Sequence, residues 1–154
     1  MIEIGKMRRG EADALGHVMW DAIHNTAGGY TVAERHAWCA APNGGPAWAA
    51  RLAAQTIWVA RRGDAPCAFV TLADQGYVEF TYVQSNAQGL GLFRRLMDAL
   101  EVEACANGAR HLWTHASLMA QPAFAAIGFH VIHHETVARG DQMLKRAQMK
   151  KVLP

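Results

Sequence analysis

Between Tyr77 and Asn107 the apolar pattern changes period once, from two to about 3.6, and the change falls on a pair of glycines. The run Tyr77-Val78-Glu79-Phe80-Thr81-Tyr82-Val83 is β-branched and aromatic and reads as a strand. It passes through the loop Gln84 to Gln88 into Gly89-Leu90-Gly91-Leu92. From Gly89 to Asn107, Phe93, Met97, Leu100 and Ala104 fall on one helical stripe, and Gly108 sits where such a helix would end. A strand, a glycine turn and a helix start together aim unpaired backbone N–H groups and the positive end of a helix dipole at one point, which suits a pyrophosphate. Gly89 and Gly91 carry no Cβ to hold phosphates away.

The flanking segments supply the rest of a sheet. Met1 to Met7 alternates as a first strand, and a helix follows from about Glu11 to Thr26 with Leu15, Val18, Met19 and Ala22 inward. Thr31 with Glu34 forms a capping box for a short helix through Trp38, and a further helix runs from Pro46 to Ala54. Thr56 to Arg61, Cys67 to Ala73 and Tyr77 to Val83 read as consecutive antiparallel strands joined by Arg62-Gly63-Asp64 and Asp74-Gln75-Gly76. After the central helix come a strand at Ala109 to His115 and a helix from Met119 to Ala126 stopped by Gly128. Two last strands, Phe129 to Ala138 and Gln142 to Val152, surround the Arg139-Gly140-Asp141 turn. This order predicts an α/β fold with a mixed, mostly antiparallel sheet of about seven strands and helices on both faces. The 154 residues suit a single domain spanning 1–154.

Composition and spacing exclude several classes. The formal charge is only +2, and Lys145, Arg146, Lys150 and Lys151 fall on a terminal strand where they guard an edge, so no nucleic-acid partner is expected. No apolar run approaches a membrane span, and Cys39, Cys67 and Cys105 form neither a CxxC pair nor an even framework. A cytoplasmic protein with reduced thiols and no membrane attachment is the expectation. His111 and His115 share a strand face without a third ligand, and His133, His134 and Glu135 alternate faces, so no metal is expected. A dinucleotide fingerprint would need glycine where Arg94 stands.

The glycine loop and the stretch beyond it resemble the GNAT superfamily of N-acetyltransferases. Gln88 and Gly91 fit that family's pyrophosphate loop, Q/R-x-x-G-x-G/A, with Phe93 where Gly or Ala is usual. Ser117, Ala120, Phe124 and the Gly128-Phe129 pair follow its second cofactor motif, N-x-x-A-x-x-x-[YF]-x-x-x-G-F. The similarity covers roughly Gly76 to Phe129. The resemblance implies a V-shaped splay between strands four and five, with the pantetheine arm of acetyl-CoA lying in it. It implies cofactor contacts from Tyr82, Val83, Gln88, Gly89, Leu90, Gly91, Leu92, Phe93, Arg94, Ser117 and Phe124. It also implies acetyl transfer by direct attack of a primary amine, borne by a small molecule or peptide.

An alkyl ammonium near pKa 10 has no lone pair, so a base is useful. Glu79, on an otherwise apolar strand beside the splay, is the candidate, acting directly or through a water. Backbone N–H groups near Tyr82 and Val83 are candidate oxyanion donors. Many relatives protonate the leaving thiolate with a Tyr at the position of Phe124, which has no proton to give. Tyr82 and His115 are the possible substitutes, and a binding or sensing module that has lost turnover is the alternative reading. Phe93 should turn into the core, and Trp38 and Trp48 either wall an acceptor pocket or belong to the core. A homodimer is compatible with edge strands.

Overall fold

The computed structural model describes residues 1–26 and 28–154. Its elements run β1 (Ile2–Lys6), α1 (Ala12–Asn25), α2 (Val32–Trp38), α3 (Gly45–Ala53), β2 (Thr56–Arg62), β3 (Ala65–Leu72), β4 (Tyr77–Val83), α4 (Leu92–Ala106), β5 (His111–Ser117), α5 (Gln121–Ala126), β6 (His130–Arg139) and β7 (Gln142–Val152). The seven strands form one sheet in the order β1-β2-β3-β4-β5-β7-β6. All neighbours pair antiparallel except β4 and β5.

Helices cover both faces, as the element order predicts. On one face α4 buries Leu92, Leu96, Met97, Leu100 and Ala104 against β2, β3 and β4, with Phe124 and Phe129 completing that core. Full burial of each such leucine stabilises the fold by about 1.5–3 kcal/mol. On the other face α1 buries Leu15, Val18, Met19 and Ile23 against Phe69 and Phe80, with Trp48 and Leu52 of α3 closing the layer. The capping box that opens α2 is present, since Thr31 Oγ1 accepts the Glu34 N–H and Glu34 Oε1 accepts the Thr31 N–H. A buried Arg61 holds Glu11 at 2.6 Å, tying the start of α1 to β2.

Element boundaries differ from the expected ones for local reasons. The central helix begins at Leu92, not Gly89, because Gly89 (φ 77°) and Gly91 (φ 73°) are left-handed. The fifth strand begins at His111, not Ala109. The Gly108 and Ala109 N–H groups return to the Cys105 and Ala104 carbonyls, so the helix end consumes those residues.

Two irregularities shape the middle of the sheet. Between β3 and β4 the register passes from Val70↔Thr81 to Leu72↔Val78, so Glu79 and Phe80 both stand opposite the single residue Thr71. Thr71 Oγ1 accepts the Phe80 N–H at 3.0 Å. Between β4 and β5 only Tyr77↔Trp113 and Val78↔Thr114 pair, supported by Thr114 Oγ1 donating to the Val78 carbonyl at 2.8 Å. Beyond Val78 the strands part, while β5 stays zipped to β7 from His111↔Val152 to Ser117↔Arg146. At the apex Gly76 (φ 75°) passes so close to β5 that a Cβ there would lie 2.4 Å from the His111 carbonyl oxygen.

Candidate active site

The parted strands open onto two cavities that share Tyr82 and Ser117. The first is lined on one side by Val83, Gln88 and Phe93, and on the other by Met119, Ala120 and Ala123. Its floor is main chain. Gln84 N–H donates to the Cys67 carbonyl, so the antiparallel alternation sends the Tyr82 N–H to Phe69 and turns the Val83 N–H and C=O into the gap. The Val83 carbonyl accepts the Gln88 side-chain amide at 2.8 Å.

The glycine turn completes this groove. Gly91 is the N-cap of α4 and offers no side-chain cap, so the first helical N–H groups, from Leu92 onward, lack intrahelical partners. A Cβ at Gly89 or Gly91 would meet nothing within 4 Å, so these glycines serve their left-handed backbone and the space before them is open. The loop is pinned to α1, where Asp21 accepts the Ser85 N–H at 2.6 Å and the Ser85 hydroxyl at 3.2 Å. Burial works against the Asp21 charge, but the bonds from Ser85 and Asn25 outweigh it and hold the carboxyl below its ordinary value. An open turn, uncapped N–H groups and an unpaired strand edge fit a diphosphate and its pantetheine arm.

Several expected cofactor residues present only backbone here. Leu92 is buried, Leu90 is exposed, and Arg94 donates its guanidinium to the Ala126 carbonyl at the end of α5. Phe93 turns partly into the core, its ring edge-on to Phe124 at 5.0 Å. Phe124 itself is 1% exposed and packs between Phe93 and Phe129, so its ring lies behind the groove wall and not on its surface. Ala120 and Ala123 line the groove, while Phe124 faces inward, where the rings of Phe93 and Phe129 pack against it.

The second cavity, of about 350 Å³, is a side-chain construction. Glu79 enters it from the bulge in β4, with Phe80 and Tyr82 beside it. Arg51 of α3 grips the carboxylate through Nη2 on Oε2 at 2.5 Å and Nε on Oε1 at 3.3 Å, while Gln55 Nε2 reaches Oε1 at 2.6 Å. The Arg51 guanidinium lies 5.0 Å from the centre of the Phe80 ring. The Tyr77 hydroxyl and His115 Nδ1 are 2.9 Å apart. Burial, reinforced by Arg146, holds the His115 imidazolium below its ordinary pKa of 6.5, so the ring is neutral at pH 7. Burial pushes the Tyr82 phenol far above its ordinary value, and no protein hydrogen bond engages its hydroxyl among the described residues. Of the two tryptophans, Trp38 lines this cavity, whereas Trp48 is buried and donates to the Ala12 carbonyl at 2.7 Å.

Sequence reasoning missed Arg51, Gln55, Arg146 and Asp21; Arg146 and the lysines near it lie on β7, which runs between β5 and β6 and is not the edge strand expected. The four-residue spacing of Arg51, in the last turn of α3, and Gln55, just past its end, is the local signal that they lie close together. No helix among the described residues is long and apolar enough to cross a membrane.

Comparisons with known proteins agree with this geometry. The family described as the acetyltransferase (GNAT) domain matches residues 39–153. Among solved structures, a GCN5-related N-acetyltransferase from Rhodopseudomonas palustris superposes with a TM-score of 0.91 at 28% identity, covering 98% of this chain and 95% of that one. An N-acetyltransferase from Staphylococcus aureus gives 0.72 at 22% identity, with 100% and 99% covered. A putative acetyltransferase from Salmonella typhimurium, solved with its cofactor acetyl-CoA, gives 0.70 at 19% identity, with 100% and 95% covered. No curated protein matches the chain by sequence. The parted β4 and β5, the uncapped glycine turn between β4 and α4, and a family match over three quarters of the sequence lead to one conclusion: the chain belongs to the GNAT acetyltransferase family.

Proposed function

We propose that the protein is an acetyl-CoA-dependent N-acetyltransferase in which the amine of a small molecule attacks directly. The observation that carries this reading is the junction at Tyr82 and Ser117, where a groove built for a thioester arm meets a polar cavity holding a carboxylate. Acetyl-CoA supplies the activated acetyl group. The chain supplies the rest. N–H groups from Gln88 to Arg94 hold the pyrophosphate, and Phe93, Ala120 and Ala123 exclude water along the arm.

Glu79 orients the acceptor ammonium and takes its proton. Arg51 and Gln55 already occupy both carboxylate oxygens, which supports transfer through an intervening water. The Val83 N–H, turned into the gap, stabilises negative charge developing on the carbonyl oxygen. Val83 is favoured over Tyr82 for this role because the Tyr82 N–H is committed to β3. The Tyr82 hydroxyl, held protonated by burial, donates a hydrogen bond to the departing sulfur. A thiol near pKa 8.5 leaves tolerably as thiolate, so this bond assists without having to deliver the proton.

Titration calorimetry should detect acetyl-CoA binding in the micromolar range, as an order of magnitude, and an amine panel should release free thiol. Absence of binding at high cofactor concentration would end this reading. Binding without thiol release from any amine would favour the sensing module.

A further inference from the structure

The second cavity carries more positive charge than a site for a plain amine should tolerate. Three guanidiniums line it, Arg51, Arg139 and Arg146, against the single carboxylate of Glu79, and His115 adds no compensating charge. Two of the three are already engaged. Arg51 is bound to Glu79, and Arg146 reaches Glu135 through Nη2 at 2.8 Å and Nε at 3.0 Å. Arg139 differs. Its one protein hydrogen bond goes to the neighbouring Ala138 carbonyl at 2.9 Å, and no carboxylate lies within ion-pair distance of it among the described residues.

The β6–β7 register explains how Arg139 comes to face the site. Glu135↔Arg146, Val137↔Leu144 and Arg139↔Gln142 are paired, so Glu135, Val137 and Arg139 alternate onto one face of β6. Val137, Leu144 and Arg146 line the same cavity as Arg139. The cavity therefore has a carboxylate at its β4 wall and an uncompensated guanidinium at its β6 wall. An ammonium alone would meet net repulsion there. An amine that also carries an oxyanion would answer both poles, because guanidinium matches a carboxylate or phosphonate in a planar two-point contact.

We propose that the acceptor is an amino acid or close analogue, its amine toward Glu79 and its oxyanion bound by Arg139. This inference rests on the acetyl-transfer reading and narrows the acceptor within it. The test offers the protein each common amino acid beside its own carboxamide, with aminomethylphosphonate as the phosphorus counterpart, and measures free thiol. For the best-used side chain the acid should exceed its amide in kcat/KM by about tenfold or more, the size expected of one charged hydrogen bond. Arg139→Gln should abolish that ratio while leaving acetyl-CoA affinity unchanged. Aminomethylphosphonate turning over faster than glycine would assign the oxyanion to the phosphorus class.

A binding arm needs no turnover. Calorimetry with coenzyme A present should show the N-acetyl amino acid binding more tightly than its N-acetyl amide, and Arg139→Gln should equalise the two. Amides used as well as acids, or equal or absent binding of both products, would overturn the oxyanion site while acetyl-CoA binding still stood. Loss of acetyl-CoA binding would instead bring down the underlying reading.

Discussion

The two cavities that meet at Tyr82 and Ser117 are made of different material. The groove beside α4 takes its form from the parted edge of β4, the left-handed glycine turn and side chains that are all uncharged. The cavity beside α3 and β6 sets the charged side chains of Arg51, Glu79, Arg139 and Arg146 into a largely aromatic wall. The first presents a shape set largely by its backbone. The second can be altered one charge at a time without touching the backbone beneath it. On the proposed reading, cofactor and acceptor are thereby separated in space.

The separation can be broken by mutation, and the largest effect should come from the charged side. Glu79→Gln should lower kcat by about 100-fold with acetyl-CoA affinity kept. If both fell together, the division between the cavities would be wrong. On the backbone side, Gly91→Val forces a β-branched residue into a left-handed conformation, costing at least 1–2 kcal/mol. Calorimetry should show acetyl-CoA binding weakened by about tenfold, with acceptor preference unchanged. Tyr82→Phe sits on the boundary. It should reduce kcat by about tenfold or less, the value of one net hydrogen bond, and a larger loss would assign Tyr82 a full proton transfer.

The smallest effect concerns pH. Because folding holds the His115 pKa below 6.5, the unfolded chain takes up this proton first as pH falls. The stability contributed by the neutral ring is complete above pH 6.5 and is lost below it. Thermal melts between pH 7.5 and 5 should show a steeper decline for the native protein than for His115→Gln. Identical slopes would mean that the ring is not held by its buried setting.

The same contrast explains what could be read from the sequence. The element order, the capping box at Thr31 and the Tyr77–Val83 strand are all local patterns, and the structure reproduces them. The glycine turn was legible for the same reason: conformation and motif occupy the same few consecutive residues. Arg51, Arg146 and Arg139 reach one cavity only through α3 docking and the β6–β7 register, and nothing near each in sequence signals the others. Phe124 shows the limit of a motif. Its position in the pattern implies a surface at the cofactor, whereas the ring is buried among Phe93 and Phe129, which lie far apart in sequence.

Gly76 stands at the joint of the wedge, where bare backbone lets one strand lean directly on a carbonyl of the next. Like the pin of a pair of dividers, it sets from a distance how wide the legs stand at their tips. A methyl group placed there would enter neither cavity, yet it would press on the His111 carbonyl and push the joint apart. The width of the wedge is thus open to control from a residue that lines neither cavity.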